Sequence, residues 1–278
     1  MSNKQKRNAL VLIDCQKDFC DPDGALFVTG AVEDSQRTAD FITNNIDKID
    51  SISMTLDSHA VLDISHPSWW LKRDGTTVDP FTPISLSEID NGDYTPALDP
   101  KRSRDYVASL ESDGEFPHFI WPEHCIVERK GWGVQDDIRN AVEAWEMHHK
   151  TWKKKVTKGT NPYTEHFGAF RANVPYSWDN STQANTPFLN LLSEFENVYL
   201  CGQARDYCVV NTLKQALEIA PQLASKIIVL EDCMSNVGAS QDVLDRAQQI
   251  YDDAKKAGVR FTTSVQADIN TPVASAQS

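Results

Sequence analysis

The 278-residue chain has little positive charge, no long apolar run and no paired cysteines, and each shortage removes a class of function. Its 27 Lys and Arg face 40 Asp and Glu, a formal net charge of −13, which argues against a nucleic-acid-binding surface. The one basic run, residues 153–155, lies beside an apolar segment and reads as a solvated strand edge. The first apolar segment, residues 9–13, is too short for a signal-peptide core and far too short to span a bilayer. A soluble, cytoplasmic protein is therefore expected. The six cysteines (Cys15, Cys20, Cys125, Cys201, Cys208 and Cys233) show neither metal-type spacing nor a secretory context, so free, mostly buried thiols are expected. No internal repeat is present.

What the chain does contain is an alternation of strand-like and helix-like segments. Apolar runs at 9–13, 51–56, 155–157, 197–201, 226–230 and 260–263 read as strands, and amphipathic stretches at 35–49, 135–149, 186–194, 208–220 and 241–257 read as helices. Pro187 suits the first turn of the third helix. The alternation predicts an α/β fold, a three-layer, doubly wound, mostly parallel six-stranded sheet. We read residues 1–278 as one domain with a long insertion at about 60–118. The stretch 58–119, rich in Pro, Asp, Ser and Trp, reads as a loop and far exceeds the ~12–15 residues at which loops become uncommon, so a lid or a subunit contact is its expected task. The tail after Asp268 is small and polar and is expected to fray.

In a doubly wound sheet, residues that close different strands meet at the carboxyl edge. Asp14 closes the first run, Lys158 the third, and Cys208 follows the fourth across a glycine turn, at the start of a helix. Free amides and the helix dipole at such a position favour the thiolate, the nucleophilic form. A thiol with a pKa of about 8.5 still needs a base to attack efficiently at neutral pH, and Asp14 can take its proton. An adjacent ammonium, Lys158, lowers the carboxyl pKa and steadies the thiolate. Each residue alone also fits a plainer reading: a turn cap, a surface charge, an inert core thiol.

A second cluster follows the second strand. Asp57-Ser-His59 and, after the long loop, Trp121-Pro-Glu-His124-Cys supply one carboxylate and two imidazoles, a donor set suited to a divalent cation with positions left for water and substrate. His66 is a rival third ligand and Glu123 a weaker one. His118, His148, His149 and His166 read as structural or exposed.

Five segments in one order carry a resemblance. Val11-Leu-Ile-Asp14-Cys-Gln-Lys-Asp-Phe19, Thr55-Leu-Asp57-Ser-His59, Ile120-Trp-Pro-Glu-His124-Cys, Thr157-Lys158-Gly-Thr160 and Gly202-Gln-Ala-Arg-Asp-Tyr-Cys208-Val together resemble the nicotinamidase branch of the isochorismatase-like cysteine hydrolases. The resemblance implies a catalytic Asp14, Lys158 and Cys208, and an oxyanion site at the Ala204 and Cys208 amides beside a cis Gln203–Ala204 peptide. It also implies a metal held by Asp57, His59 and His124, most simply Zn, with Fe, Mn, Ni or Mg as the other choices. Phe19 and Trp121 are the expected ring walls, and nicotinamide hydrolysis feeding NAD salvage the expected activity, in a homo-oligomer that binds neither nucleic acid nor membrane. Another amidase or carbamoyl hydrolase of the superfamily is the nearer alternative, and a non-catalytic small-molecule or metal-binding protein the more distant one. The chain departs from the family after His59, where Ala60-Val-Leu-Asp63-Ile-Ser-His66 stands, and at Phe167-Gly168, where the family has Tyr-Ser.

Overall fold

The computed structural model describes residues 7–269. Six parallel strands, β1 (Asn8–Ile13), β2 (Ser51–Asp57), β3 (Lys154–Lys158), β4 (Asn197–Gly202), β5 (Ile227–Leu230) and β6 (Arg260–Thr262), form one sheet in the order β6-β5-β4-β1-β2-β3. Burial on both faces explains why β1 is apolar from Ala9 on: Ala9, Val11 and Ile13 enter one core while Leu10 and Leu12 enter the other. Helices Ala31–Asn44 and Asp136–His149 cover the second face, with Phe41, Ile42, Val142 and Trp145 turned inward. Helices Thr186–Ser193, Val210–Ile219 and Gln241–Lys256 cover the first, through Phe188, Leu213 and Tyr251 among others. The three-layer α/β/α arrangement and all six strands are as the sequence predicts. No helix among the described residues is long and apolar enough to cross a membrane.

Three expectations about elements are corrected. The first long helix runs Ala31–Asn44, not 35–49, because Asn45 ends it, its side chain and amide turning back onto the Phe41 carbonyl. The stretch 58–119 is not a loop. It holds helix Pro100–Ser112, started by the Asp99 side chain and Pro100, a short helix Leu86–Asp90 with a Ser85/Glu88 capping box, and two small antiparallel ladders. Trp69, Trp70, Tyr106, Leu110 and Ile120 give it a hydrophobic core of its own. At the other end, Ile269 is buried, and its carbonyl accepts from the Asn8 side chain at 3.2 Å. The rest of the expected frayed tail lies outside the described residues.

Strand β1 sits at the centre of the sheet, where the winding reverses between β1 and β4, and the crevice beyond these strand ends is the expected ligand position in such a fold. Register places Ile13 beside Gly202 and Asp57 beside Lys158. Gly202 has φ +126°, and a Cβ there would lie 2.0 Å from the Ile13 carbonyl oxygen, so only glycine lets β4 pass this close to β1 as it turns toward the next helix.

Candidate active site

Asp14, Lys158 and Cys208 converge at that crevice. Lys158, fully buried, places its Nζ 2.7 Å from Asp14 Oδ2, 3.1 Å from Asp57 Oδ1 and 3.7 Å from Cys208 Sγ. Thr55 fixes Asp14 from both sides: its hydroxyl donates to Asp14 Oδ1 at 2.6 Å and accepts from the Asp14 amide at 2.9 Å. Gln16 joins β1 to β2, donating to the Asp57 carbonyl at 2.8 Å and accepting from the Asp57 amide at 2.7 Å. The peptide between Gln203 and Ala204 is cis, as the resemblance implies.

The helix that carries Cys208 starts earlier than the sequence suggests. Its first turn, Arg205–Val209, is π-wound with Ala204 as N-cap, so Cys208 is the fourth residue of the helix. The Asp206 carboxylate steadies this turn by accepting from the Val237 and Gly238 amides at 2.9 and 2.8 Å.

The electrostatics also differ from the expectation. Burial, opposed by Lys158 and reinforced by Asp14 and Asp57, pushes the Cys208 thiol well above its ordinary pKa. Burial thus favours the thiol over the thiolate, the reverse of what the helix start alone suggests. Burial likewise raises Asp14 despite the pull of Lys158, which makes it a stronger base than an ordinary carboxylate. On Lys158 the balance reverses: burial opposes its charge, yet Asp14 and Asp57 hold the ammonium well above its ordinary range.

Asp57, His59 and His124, all buried, bring one donor atom each within 4.8 Å of one another. His59 Nδ1 donates to Asp63 Oδ2 at 3.1 Å, leaving Nε2 toward Asp57 Oδ2 at 3.0 Å. His124 Nδ1 donates to the Pro122 carbonyl at 2.8 Å, and its Nε2 stands 3.5 Å from the same carboxylate oxygen. Outer hydrogen bonds of this kind fix the tautomer that a metal requires. The ring of His66 lies 5.1 Å from that of His59, and its Nε2 is buried with no hydrogen-bond partner among the described residues. The donor set, its locked tautomers and this orphaned nitrogen fit a divalent cation. Glu123 is directed away, toward Arg129, and its side chain is 41% exposed, so it is not a ligand.

A pocket of about 340 Å³, mouth included, joins the two clusters. Phe19, Leu26, Trp121, Phe167 and Tyr207 line it together with Asp57, His124, Ala204 and Cys208. Asp63, Glu165 and Tyr207 lie at or beside these clusters without being among the expected site residues. Asp63 was noted only as a departure, although a carboxylate four residues after a candidate ligand histidine is a signal in retrospect. Glu165 and Tyr207 gave none, since what sets them apart is a burial that only the assembled fold creates.

No protein-family model matches the chain, and no curated protein matches it by sequence. Solved structures do. The chain is similar to the yeast nicotinamidase Pnc1p at 21% identity, with 92% of this chain and 99% of that one covered and a TM-score of 0.62. A nicotinamidase/pyrazinamidase of Acinetobacter baumannii is similar at 21% identity, over 94% and 98% of the two chains, with a TM-score of 0.62. The zinc complex of a Pyrococcus horikoshii pyrazinamidase is similar at 18% identity, over 92% and 99%, with a TM-score of 0.51. At these identities the likeness establishes a shared fold.

Proposed function

We propose that this chain is an amide hydrolase that converts nicotinamide to nicotinate and ammonia through a thioester on Cys208. The carrying observation is the meeting of Asp14, Lys158 and Cys208 in one pocket with the Asp57, His59 and His124 cluster. The nicotinamidase activity of its structural neighbours supplies the substrate.

Asp14 takes the Cys208 proton, and the thiolate attacks the carboxamide carbon while the Lys158 ammonium, 3.7 Å from Sγ, steadies the charge. The oxyanion is received by the Ala204 and Cys208 amides, an interaction whose loss typically costs about 3–4 kcal/mol per donor. Protonated Asp14 gives its proton to the departing nitrogen, and ammonia leaves. Asp14 then accepts a proton from water as that water attacks the thioester, which releases the acid and returns the thiol. Asp57, His59 and His124 would hold a divalent cation, zinc in the first instance, which when bound supplies a Lewis-acidic point that orients the ring. The small-molecule product fits a role in NAD salvage, and a homo-oligomer is the assembly we propose.

Ammonia release from nicotinamide, with pyrazinamide, a chelator-treated sample and Cys208→Ala run in parallel, tests the reading. Turnover that disappears in both controls is expected. Robust turnover by Cys208→Ala would sink the mechanism, and a folded, metal-loaded protein inert to nicotinamide would remove it as the substrate.

A further inference from the structure

The departure from the family at Phe167-Gly168 has a counterpart on the helix that follows Cys208. A Cβ on Gly168 would lie 2.3 Å from the carboxamide carbon of Gln215, so Gln215 occupies the space that a serine side chain at 168 would need. That carboxamide cannot give way cheaply. Its oxygen accepts from the Phe170 and Arg171 amides at 3.0 and 3.1 Å, and its nitrogen donates to the Arg171 carbonyl at 2.8 Å. Gln215 is buried, and moving it would strand all three backbone groups.

Thr212, one turn earlier on the same helix, makes a second tie. Its buried hydroxyl donates to the Cys208 carbonyl at 2.7 Å and accepts from the Ala169 amide at 3.0 Å. The segment 167–171 is thereby fastened at Ala169, Phe170 and Arg171 to helix Val210–Ile219, which continues directly from the turn that carries Cys208. Phe167, at the head of that segment, lines the pocket together with Cys208, and its ring meets that of Tyr207, the residue before the cysteine, at 5.3 Å between centroids. Wall and nucleophile therefore belong to one hydrogen-bonded body. The spacing between them matters, since a misplacement of about 1 Å can cost on the order of 100-fold in rate.

We propose that Thr212 and Gln215 are positioning residues that fix the Phe167 wall relative to the Cys208 thiol, and through it favour acyl groups carried on a flat ring over those on a short chain. The role rests on the hydrolase reading for its substrates, but it acts on any ring brought to the thiol.

Alkylation of Cys208 in the metal-loaded full chain by 2-iodo-N-phenylacetamide and by iodoacetamide, followed by peptide mass spectrometry, reads the wall without turnover. Relative to the urea-unfolded chain, the phenyl reagent is expected to be favoured by about tenfold, since only its ring can rest on Phe167. Gln215→Met and Thr212→Val should each lower that preference by roughly three- to tenfold, and Thr212→Ser, which keeps the hydroxyl, should retain it. In a Phe167→Ala background neither substitution should lower it further, because the wall is already gone. A general loosening of the fold would instead lower the preference in both backgrounds. No preference in the unaltered chain, an inert Cys208, or losses that add to that of Phe167→Ala overturn the role. If Gln215→Met does not fold, the two Thr212 variants decide. Should no amide be turned over, the hydrolase reading fails, and the alkylation ratios still decide the role of the two side chains.

Discussion

The two ends of the pocket are built on opposite plans. At the Cys208 end the protein has spent its hydrogen bonds on itself: Lys158 meets Asp14, Asp57 and the thiol, Thr55 clamps Asp14, and Gln16 ties down Asp57. Elsewhere around the pocket and the imidazole cluster, His66 Nε2, Glu165 Oε1 and the Tyr207 hydroxyl are buried with no hydrogen-bond partner among the described residues. The difference teaches where the fold supplies geometry in advance and where it waits for an occupant. Groups that must meet a developing charge cannot afford to reorganise, so their partners are built in. Groups that would receive a cation or a ring can keep open valences until it arrives.

The largest effect should come from breaking the wired end. Asp14→Asn removes the proposed base while keeping the side chain's size, and a fall in kcat of about 10³-fold is expected from steady-state ammonia release. Because burial raises the Asp14 carboxyl, the acid limb of kcat/KM should lie above the ordinary 3.8, activity being lost as pH falls through the raised value. A limb at or below 3.8 would argue against Asp14 as the base.

Sharpening the comparison at the open end, Asp63→Asn leaves every group around Cys208 in place but loosens His59. Metal affinity, read by competition with a chromogenic chelator, should weaken by about 10–100-fold. Unchanged affinity would show that the His59–Asp63 bond does not tune the site.

Within the insertion, His118 provides a control outside both clusters. His118 is buried in its core against Trp70 and Tyr106, and burial, partly offset by Asp63, lowers its pKa to about 4. The unfolded chain takes up this proton near 6.5 and the folded chain does not, so stability present above pH 6.5 is lost as pH falls toward 4, by about 3 kcal/mol. Thermal unfolding of His118→Phe beside the parent should show a shallower acid decline, and identical declines would refute the assignment. The smallest effect is expected from Tyr106→Phe, which removes the acceptor of the Glu165 amide and should cost about 1 kcal/mol by denaturant titration.

Much of this was legible in the sequence. Strands such as β1 and β4, buried on both faces, advertise themselves as continuous apolar runs, and the doubly wound topology then delivers Asp14, Lys158 and Cys208 to one edge without knowledge of any side chain. The insertion was not legible because its ladders are two or three residues long and its core is shared among Trp69, Tyr106 and Ile120, residues distant in sequence. The burial that raises the Cys208 thiol was not legible for a related reason. The helix dipole can be inferred from local order, but desolvation depends on what the rest of the chain packs around the sulfur. Glu165 looks like any loop carboxylate until Tyr106 arrives from the insertion.

His59 and His124 stand about 65 residues apart in sequence, one just before the insertion and the other just after it. The backbone already clasps there, His59 accepting from the Val127 amide at 3.2 Å and donating to the Cys125 carbonyl at 3.1 Å, with the Trp121 amide on the Ser65 carbonyl at 2.7 Å nearby. A cation bridging the two imidazoles would therefore be a cross-link at the neck of a closed ring of chain. By the chain-entropy account of disulfides, a covalent tie around a ring of this length contributes on the order of 4 kcal/mol. In this architecture the metal would be a staple of the polypeptide as well as a tool of the reaction.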